Sequence, residues 1–281
     1  MQSCARLIKT NTTQNILKQL QQNTFAHIQS KFYLDNYQDK LKSLQQSYTL
    51  LKSDPTAGNR LRAYSRFNWS PAQNTLLKNQ DNGYFQSPEY NYADGGKIRR
   101  FEPICEKFLT NPLIESLLAQ NIKIAKETDI VKFDQSLEIG LHQIRYKAFW
   151  DQPAYSSPMW LHRDDEPLVF VHLLNLTYNV VGGDNIIAPH AKEVDCVIRL
   201  NEPLETILLT KKKLHAVTPM GSSTADAAYR DILLVTFQNN PPRPLATPKA
   251  SANGLFAKKP ALALEDKSEQ TKANSPATNR G

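Results

Sequence analysis

The 281-residue chain is short of cysteine, of glycine and of long apolar runs, and each shortage removes a class of protein. Its three cysteines, Cys4, Cys105 and Cys196, are odd in number and far apart, so they suggest neither a disulfide scaffold nor a Cys-x-x-Cys zinc site. Ten glycines, none in a strand–GxGxxG–helix setting, leave no phosphate cradle, and Gly95-Gly96 reads as a turn. No stretch approaches the ~20 apolar residues that cross a bilayer as a helix. The opening residues, MQSCARLIKTNTTQN, also lack the apolar core of a secretory signal. The expectation is a cytoplasmic protein of a reducing compartment, with no membrane partner.

A net charge of +7 raises the question of nucleic acid, and its distribution answers it. From Pro241 onward seven basic residues face three acidic ones, so +4 sits in the last segment and +3 in the preceding 240 residues. No RNA-binding signature or zinc-finger spacing accompanies that charge, so no specific nucleic-acid partner is expected. The segment 241–281 is rich in Pro, Ala and Lys and poor in aromatics, which predicts a disordered basic tail. Residues 1–52 predict a helical buttress. Leu17, Leu20, Phe25, Ile28 and Phe32 recur at helix-like spacings, as do Leu41, Leu44, Tyr48 and Leu51, with a break near Asp35-Asn36. Heptads are not sustained, which argues against a coiled-coil arm. Asn111-Pro112 predicts the cap and first residue of another helix. The span 53–240 reads as the main domain, and from Ile130 its texture is that of β-strands.

Within that domain, His162-Arg163-Asp164 carries the chemistry. Residues two apart on an extended chain share a face, so His162 and Asp164 can present two ligands together. Asp165, one residue on, cannot share that face. The apolar run Leu168–Leu174 follows as a buried strand, Gly182-Gly183 marks a turn, and Lys211–Lys213 turns the chain into Leu214-His215-Ala216-Val217. His215 then completes two histidines and one carboxylate. That set holds Fe(II) on one face and leaves open positions for a chelating oxo acid and O₂. Arg230, at the mouth of the strand Ile232–Phe237, is suited to a distal carboxylate, which a guanidinium grips bidentately. His172 lies inside a strand and reads as a core group, His190 as a loop residue and His27 as structural.

Seven segments carry a resemblance: RLRAYSRF (60–67), FQSPEYNYADGGKIRRFEPI (85–104), GLHQIRY (140–146), LHRDD (161–165), VVGGDN (180–185), LHAVTP (214–219) and YRDILLVTF (229–237). Over these the chain resembles the Fe(II)/2-oxoglutarate dioxygenases that include bacterial free L-amino-acid hydroxylases of the isoleucine 4-hydroxylase type. The resemblance implies His162, Asp164 and His215 as metal and catalytic residues, and Arg230 as the anchor of the 2-oxoglutarate co-substrate. It implies a mainly β fold, a double-stranded β-helix (jelly roll, cupin-like) with N-terminal helices. It also implies hydroxylation of an unactivated carbon of a small substrate, a free aliphatic L-amino acid, with Fe(II), 2-oxoglutarate and O₂. Asp165 and Lys211–Lys213 depart from the family, where a small residue and an acidic turn are common. Halogenation is disfavoured because the carboxylate ligand is present. A peptide hydroxylase and a non-catalytic cupin-like module remain as alternatives. For the substrate, Arg100, His142 and Arg145 are the candidates. Arg62, Gln86, Asn91 and Arg99 are further polar positions in the matched segments. His142 and Arg145 fall on opposite faces of one strand, so at most one of them reaches a cavity.

Overall fold

Residues 9–33, 37–92 and 94–241 are described by the structure, a computed structural model. In chain order the elements are α1 (Thr13–Asn23), β1 (Phe25–Ile28), α2 (Gln38–Ser47), β2 (Lys52–Ser53), β3 (Arg60–Ser70), β4 (Thr75–Lys78), β5 (Gly83–Tyr84), β6 (Arg99–Arg100), α3 (Glu106–Leu109), α4 (Pro112–Thr128) and β7 (Leu137–Ala148). There follow β8 (Leu168–Leu176), β9 (Val180–Gly182), β10 (Asn185–Ala188), β11 (Cys196–Ile198), β12 (Thr206–Thr210), β13 (Leu214–Val217), β14 (Met220–Ser222) and β15 (Ala228–Asn239).

Alternation along the long strands decides how these elements stack. An eight-stranded antiparallel sheet runs β1-β12-β8-β15-β7-β3-β2, with β4 on the flank of β3. On β15, Leu233, Val235 and Phe237 join a core with Leu20 of α1, Leu44 of α2 and Leu117 of α4. The intervening Arg230, Ile232 and Leu234 face a cavity instead. Strand β7 divides in the same way, with Ile139 and Leu141 on the helix side and His142, Ile144 and Tyr146 on the cavity side. Both faces of this sheet are therefore covered, which is why β8 and β12 read as nearly continuous apolar runs. Across the cavity lies a smaller sheet, β11-β10-β13, whose Ile187 and Ile198 pack with Val169, Val171 and Ile207 of the large one. Two sheets enclosing a core, with helices outside one of them, form the expected jelly roll.

The Asn111 side chain accepts the Leu113 N–H and Pro112 begins α4, as the dipeptide predicts. The helix-like spacings hold for α1 and α2 but fail at Phe25 and Ile28. Thr24 turns left-handed (φ 65°) and its N–H closes on the Leu20 carbonyl, which ends α1. The next four residues pair with β12 as an edge strand, and Phe25 faces the cavity-side core while Ala26 and Ile28 face the helices. The N-terminal region is thus part helix and part sheet. The expected break at Asp35-Asn36 and the tail after Pro241 lie outside the described residues.

Candidate metal centre and its cavity

Backbone pairing brings the two histidines together. His162 and His215 form an antiparallel bridge in which each amide donates to the other's carbonyl, at 3.0 and 2.8 Å. Residues opposed in this way project to one side, and the ring centroids are 4.4 Å apart. Asp164 completes the group: its Oδ1 lies 3.5 Å from His162 Nε2 and its Oδ2 3.3 Å from His215 Nε2. One donor atom from each residue lies within 4.8 Å of the other two. The His162 Nδ1–H donates to the Trp160 carbonyl at 2.9 Å, a contact that leaves Nε2 available to a metal. Burial holds the His215 imidazole down to about 4, in its neutral form. Burial also opposes a charge on His162, but Asp164 outweighs it and raises that imidazole, whose Nε2 proton a bound cation would displace. Burial opposes ionisation of Asp164, but His215 and His162 outweigh it and hold the carboxyl down to about 2. Two imidazoles and a carboxylate form a donor set that fits Fe(II) on three sites and leaves the others open.

Arg230 lines the same cavity. It is 2% exposed, and neither Nη1 nor Nη2 has a hydrogen-bond partner. Ile187, Ile207, Val217 and Ile232 give the same cavity apolar lining, and the Arg230 Cζ lies 5.8 Å from the centroid of the Tyr146 ring. Gly182 and Gly183 are both at φ 74°, and a Cβ on Gly183 would lie 3.4 Å from Arg230 Cδ. A Cβ on Gly182 would lie 2.0 Å from the Pro219 carbonyl oxygen. Only glycine allows that approach.

Polar groups also line the cavity, among them Arg60, Arg62, Tyr84, Gln86, Arg99, His142 and Glu166. An Arg62 Nη2–H donates to His142 Nδ1. Burial, then the charge of Arg62, holds His142 well below its ordinary value, so it stays neutral. Burial pushes Arg62 down to about 10. Burial, reinforced by Asp164, pushes Glu166 up to about 8. The Tyr84 hydroxyl donates to Glu166 Oε1 at 3.3 Å.

Of the residues singled out in the sequence, the structure gathers His162, Asp164, His215, Arg230 and His142 around one cavity, and two proposed substrate residues fall elsewhere. Arg145 faces the helices, where its Nε and Nη2 grip Asp231 at 2.6 and 2.7 Å. Arg100 is turned to the surface, its side chain 69% exposed and paired with Asp81. Its neighbour Arg99 points inward in its place, because adjacent strand residues alternate. His172 is fully buried on the helix side, bonded to Asn121 and Thr206, and His27 is buried in β1. His190 is exposed beside Glu193. Trp160 stacks on Tyr92 at 4.6 Å, whereas Trp150 is exposed. Asp165 accepts the Ser87 N–H at 2.9 Å and so ties the segment carrying Gln86 to the metal motif. Lys213 of the basic turn pairs with Asp195. Tyr84 and Glu166 were not reached by sequence reasoning. Glu166 follows Asp164 by two residues and lines the same cavity, so the alternation that pairs His162 with Asp164 was the signal for it.

A family model described as 2OG-Fe dioxygenase matches residues 45–236. The chain is 45% identical over 216 residues to an L-isoleucine-4-hydroxylase of Bacillus thuringiensis, covering 76% of this chain and 90% of that protein. It is 38% identical over 208 residues to a 3(1)-hydroxy-L-isoleucine 4-dioxygenase of Pantoea ananatis, covering 73% and 84%. The crystal structure of IDO from Bacillus thuringiensis superposes with a TM-score of 0.74 at 39% identity, over 81% of this chain and 99% of that one. Among the described residues no helix is long and apolar enough to cross a membrane. The chain belongs to the 2OG-Fe dioxygenase family, enzymes that use Fe(II), 2-oxoglutarate and O₂ on a jelly-roll fold.

Proposed function

We propose that this dioxygenase hydroxylates an unactivated carbon of a free aliphatic L-amino acid in the cytoplasm, with isoleucine-like side chains as the first candidates. His162, Asp164 and His215 would hold Fe(II), and Arg230 would hold the distal carboxylate of 2-oxoglutarate. The observation that carries the reading is the meeting of a three-donor cluster and a buried guanidinium with free Nη groups on one cavity. The named activities of the Bacillus and Pantoea relatives support the substrate class.

Held by His162, Asp164 and His215, Fe(II) would supply the coupling of 2-oxoglutarate decarboxylation, to succinate and CO₂, with insertion of one oxygen atom of O₂ at a C–H bond. The chain's own contribution is placement. The Trp160 carbonyl keeps His162 in one tautomer, and burial keeps His215 neutral. Arg230 stays charged though buried, where a carboxylate is held more strongly than in water. Ile187, Ile207 and Ile232 give the cavity it faces an apolar lining. The substrate side chain packs against apolar wall residues and is thereby oriented, not activated.

The test is succinate formation by the Fe(II)-loaded protein across a panel of free L-amino acids. Stimulation by an aliphatic member supports the reading. Turnover that no amino acid alters would move the substrate to another class.

A further inference from the structure

The cavity holds a second set of cations that the 2-oxoglutarate anchor does not use. Arg60, Arg62 and Arg99 line one wall at 3%, 6% and 5% exposure. A guanidinium cannot shed its charge by deprotonation at neutral pH, so each needs an anion or neutral acceptors. Asp54 supplies one negative charge, and Arg60 takes it at 2.7 Å. Arg62 reaches the same oxygen only at 3.8 Å. Arg99 has no carboxylate within ion-pair distance among the described residues, and its Nη2–H donates to the neutral Gln86 amide oxygen. The Nε–H groups of both Arg62 and Arg99 are buried with no acceptor.

These two guanidinium groups share one aromatic support. The Arg62 and Arg99 Cζ atoms lie 5.1 and 4.8 Å from the centroid of the Tyr84 ring. That ring's hydroxyl donates to Glu166 Oε1 on the same wall. A pair of cations and a carboxyl acceptor thus flank a single tyrosine. This pattern complements a group that carries a carboxylate and an ammonium on one carbon, as an α-amino acid does.

We infer that Arg62 and Arg99 bind the α-carboxylate of the amino-acid substrate and that the Glu166 carboxyl oxygens accept from its α-ammonium, forming a head-group clamp separate from Arg230. The inference rests on the proposed free-amino-acid substrate and specifies how that substrate is read. It also accounts for two separate unsatisfied guanidinium sites in one cavity, one for each acidic reactant. His142, neutral and bonded to Arg62, acts as a positioning residue that orients the guanidinium.

The experiment compares kcat/KM of the Fe(II) holoenzyme on L-isoleucine, L-isoleucinamide and 3-methylpentanoic acid, for the wild type, Arg99→Met and Glu166→Gln. The wild type is expected to prefer isoleucine over both analogues by roughly 100-fold, the size of one or two charge-assisted hydrogen bonds. Arg99→Met should lose about that factor on isoleucine through KM and discriminate far less against the amide. Its KM for 2-oxoglutarate should shift much less. Glu166→Gln should narrow the preference over 3-methylpentanoic acid. Equal losses on isoleucine and its amide, or an equal rise in the KM for 2-oxoglutarate, would overturn the clamp. So would a wild type that turns over the amide as well as the acid, a result that needs no variant to fold. A wild type stimulated by no free amino acid would instead overturn the proposed substrate class, and the clamp with it.

Discussion

Replacing His172 with Gln should flatten the acid limb of this protein's stability without touching its metal site. His172 lies in β8 and is fully buried against Phe170, Asn121 and Tyr33. Its proton inventory is fixed by its partners. The Thr206 hydroxyl donates to the Leu204 carbonyl, so its oxygen is left to accept from His172 Nδ1–H at 2.7 Å. Nε2 then accepts from the Asn121 amide at 2.8 Å. A second proton has nowhere to go without breaking that bond, and burial holds the imidazole down to about 3. Because the folded pKa is depressed, the unfolded chain binds the proton first as pH falls below 6.5. Stability is whole above that value and drains away down to about 3. Each pKa unit corresponds to about 1.4 kcal/mol, so the loss is about 2 kcal/mol at pH 5 and about 5 kcal/mol at the acid extreme. Urea unfolding at pH 7.5 and 5 reads it directly. The wild type should lose about 2 kcal/mol more than the variant between the two. Parallel profiles would refute the assignment of a neutral, doubly bonded imidazole.

Three further outcomes follow from the cavity. Arg230→Met should raise the KM for 2-oxoglutarate by about 100-fold, while stabilising the ligand-free protein by about 1 kcal/mol through removal of two buried nitrogens without partners. Substrate kinetics and chemical denaturation check the two halves. Asp165→Ala frees the Ser87 N–H and the segment bearing Gln86, so the KM for the amino acid should rise several-fold with Fe(II) affinity unchanged by titration. Gly182→Ala forces a Cβ against the Pro219 carbonyl at positive φ and should destabilise the fold by about 3 kcal/mol in thermal unfolding.

The sequence made the metal centre legible because its chemistry is local and ordered. His162 and Asp164 sit two apart, the strands around them are apolar, and His215 follows a turn. Arg230 was legible for the same reason, at the start of a strand whose alternate residues define two faces. The polar wall was not. Whether Arg99 or Arg100 points inward depends on the orientation of a two-residue strand, which pairing with β5 fixes and composition does not. Arg145 was a reasonable cation for a carboxylate until Asp231, 86 positions away, turned out to engage it. Strand β1 was missed because Phe25 and Ile28 happen to continue the helical spacing of Leu17 and Leu20. The left-handed Thr24 that ends the helix carries no glycine to announce it.

The central claim is that the three-donor cluster and Arg230 couple 2-oxoglutarate decarboxylation to hydroxylation of a free amino acid. Labelled O₂ tests it most directly, with Fe(II), 2-oxoglutarate and L-isoleucine supplied to the wild type and to His162→Ala. The account predicts one labelled oxygen atom in a hydroxylated amino acid and the other in an equimolar amount of succinate, with both products absent from the variant. Labelled hydroxy-amino acid formed without 2-oxoglutarate, or undiminished in the variant, would contradict it.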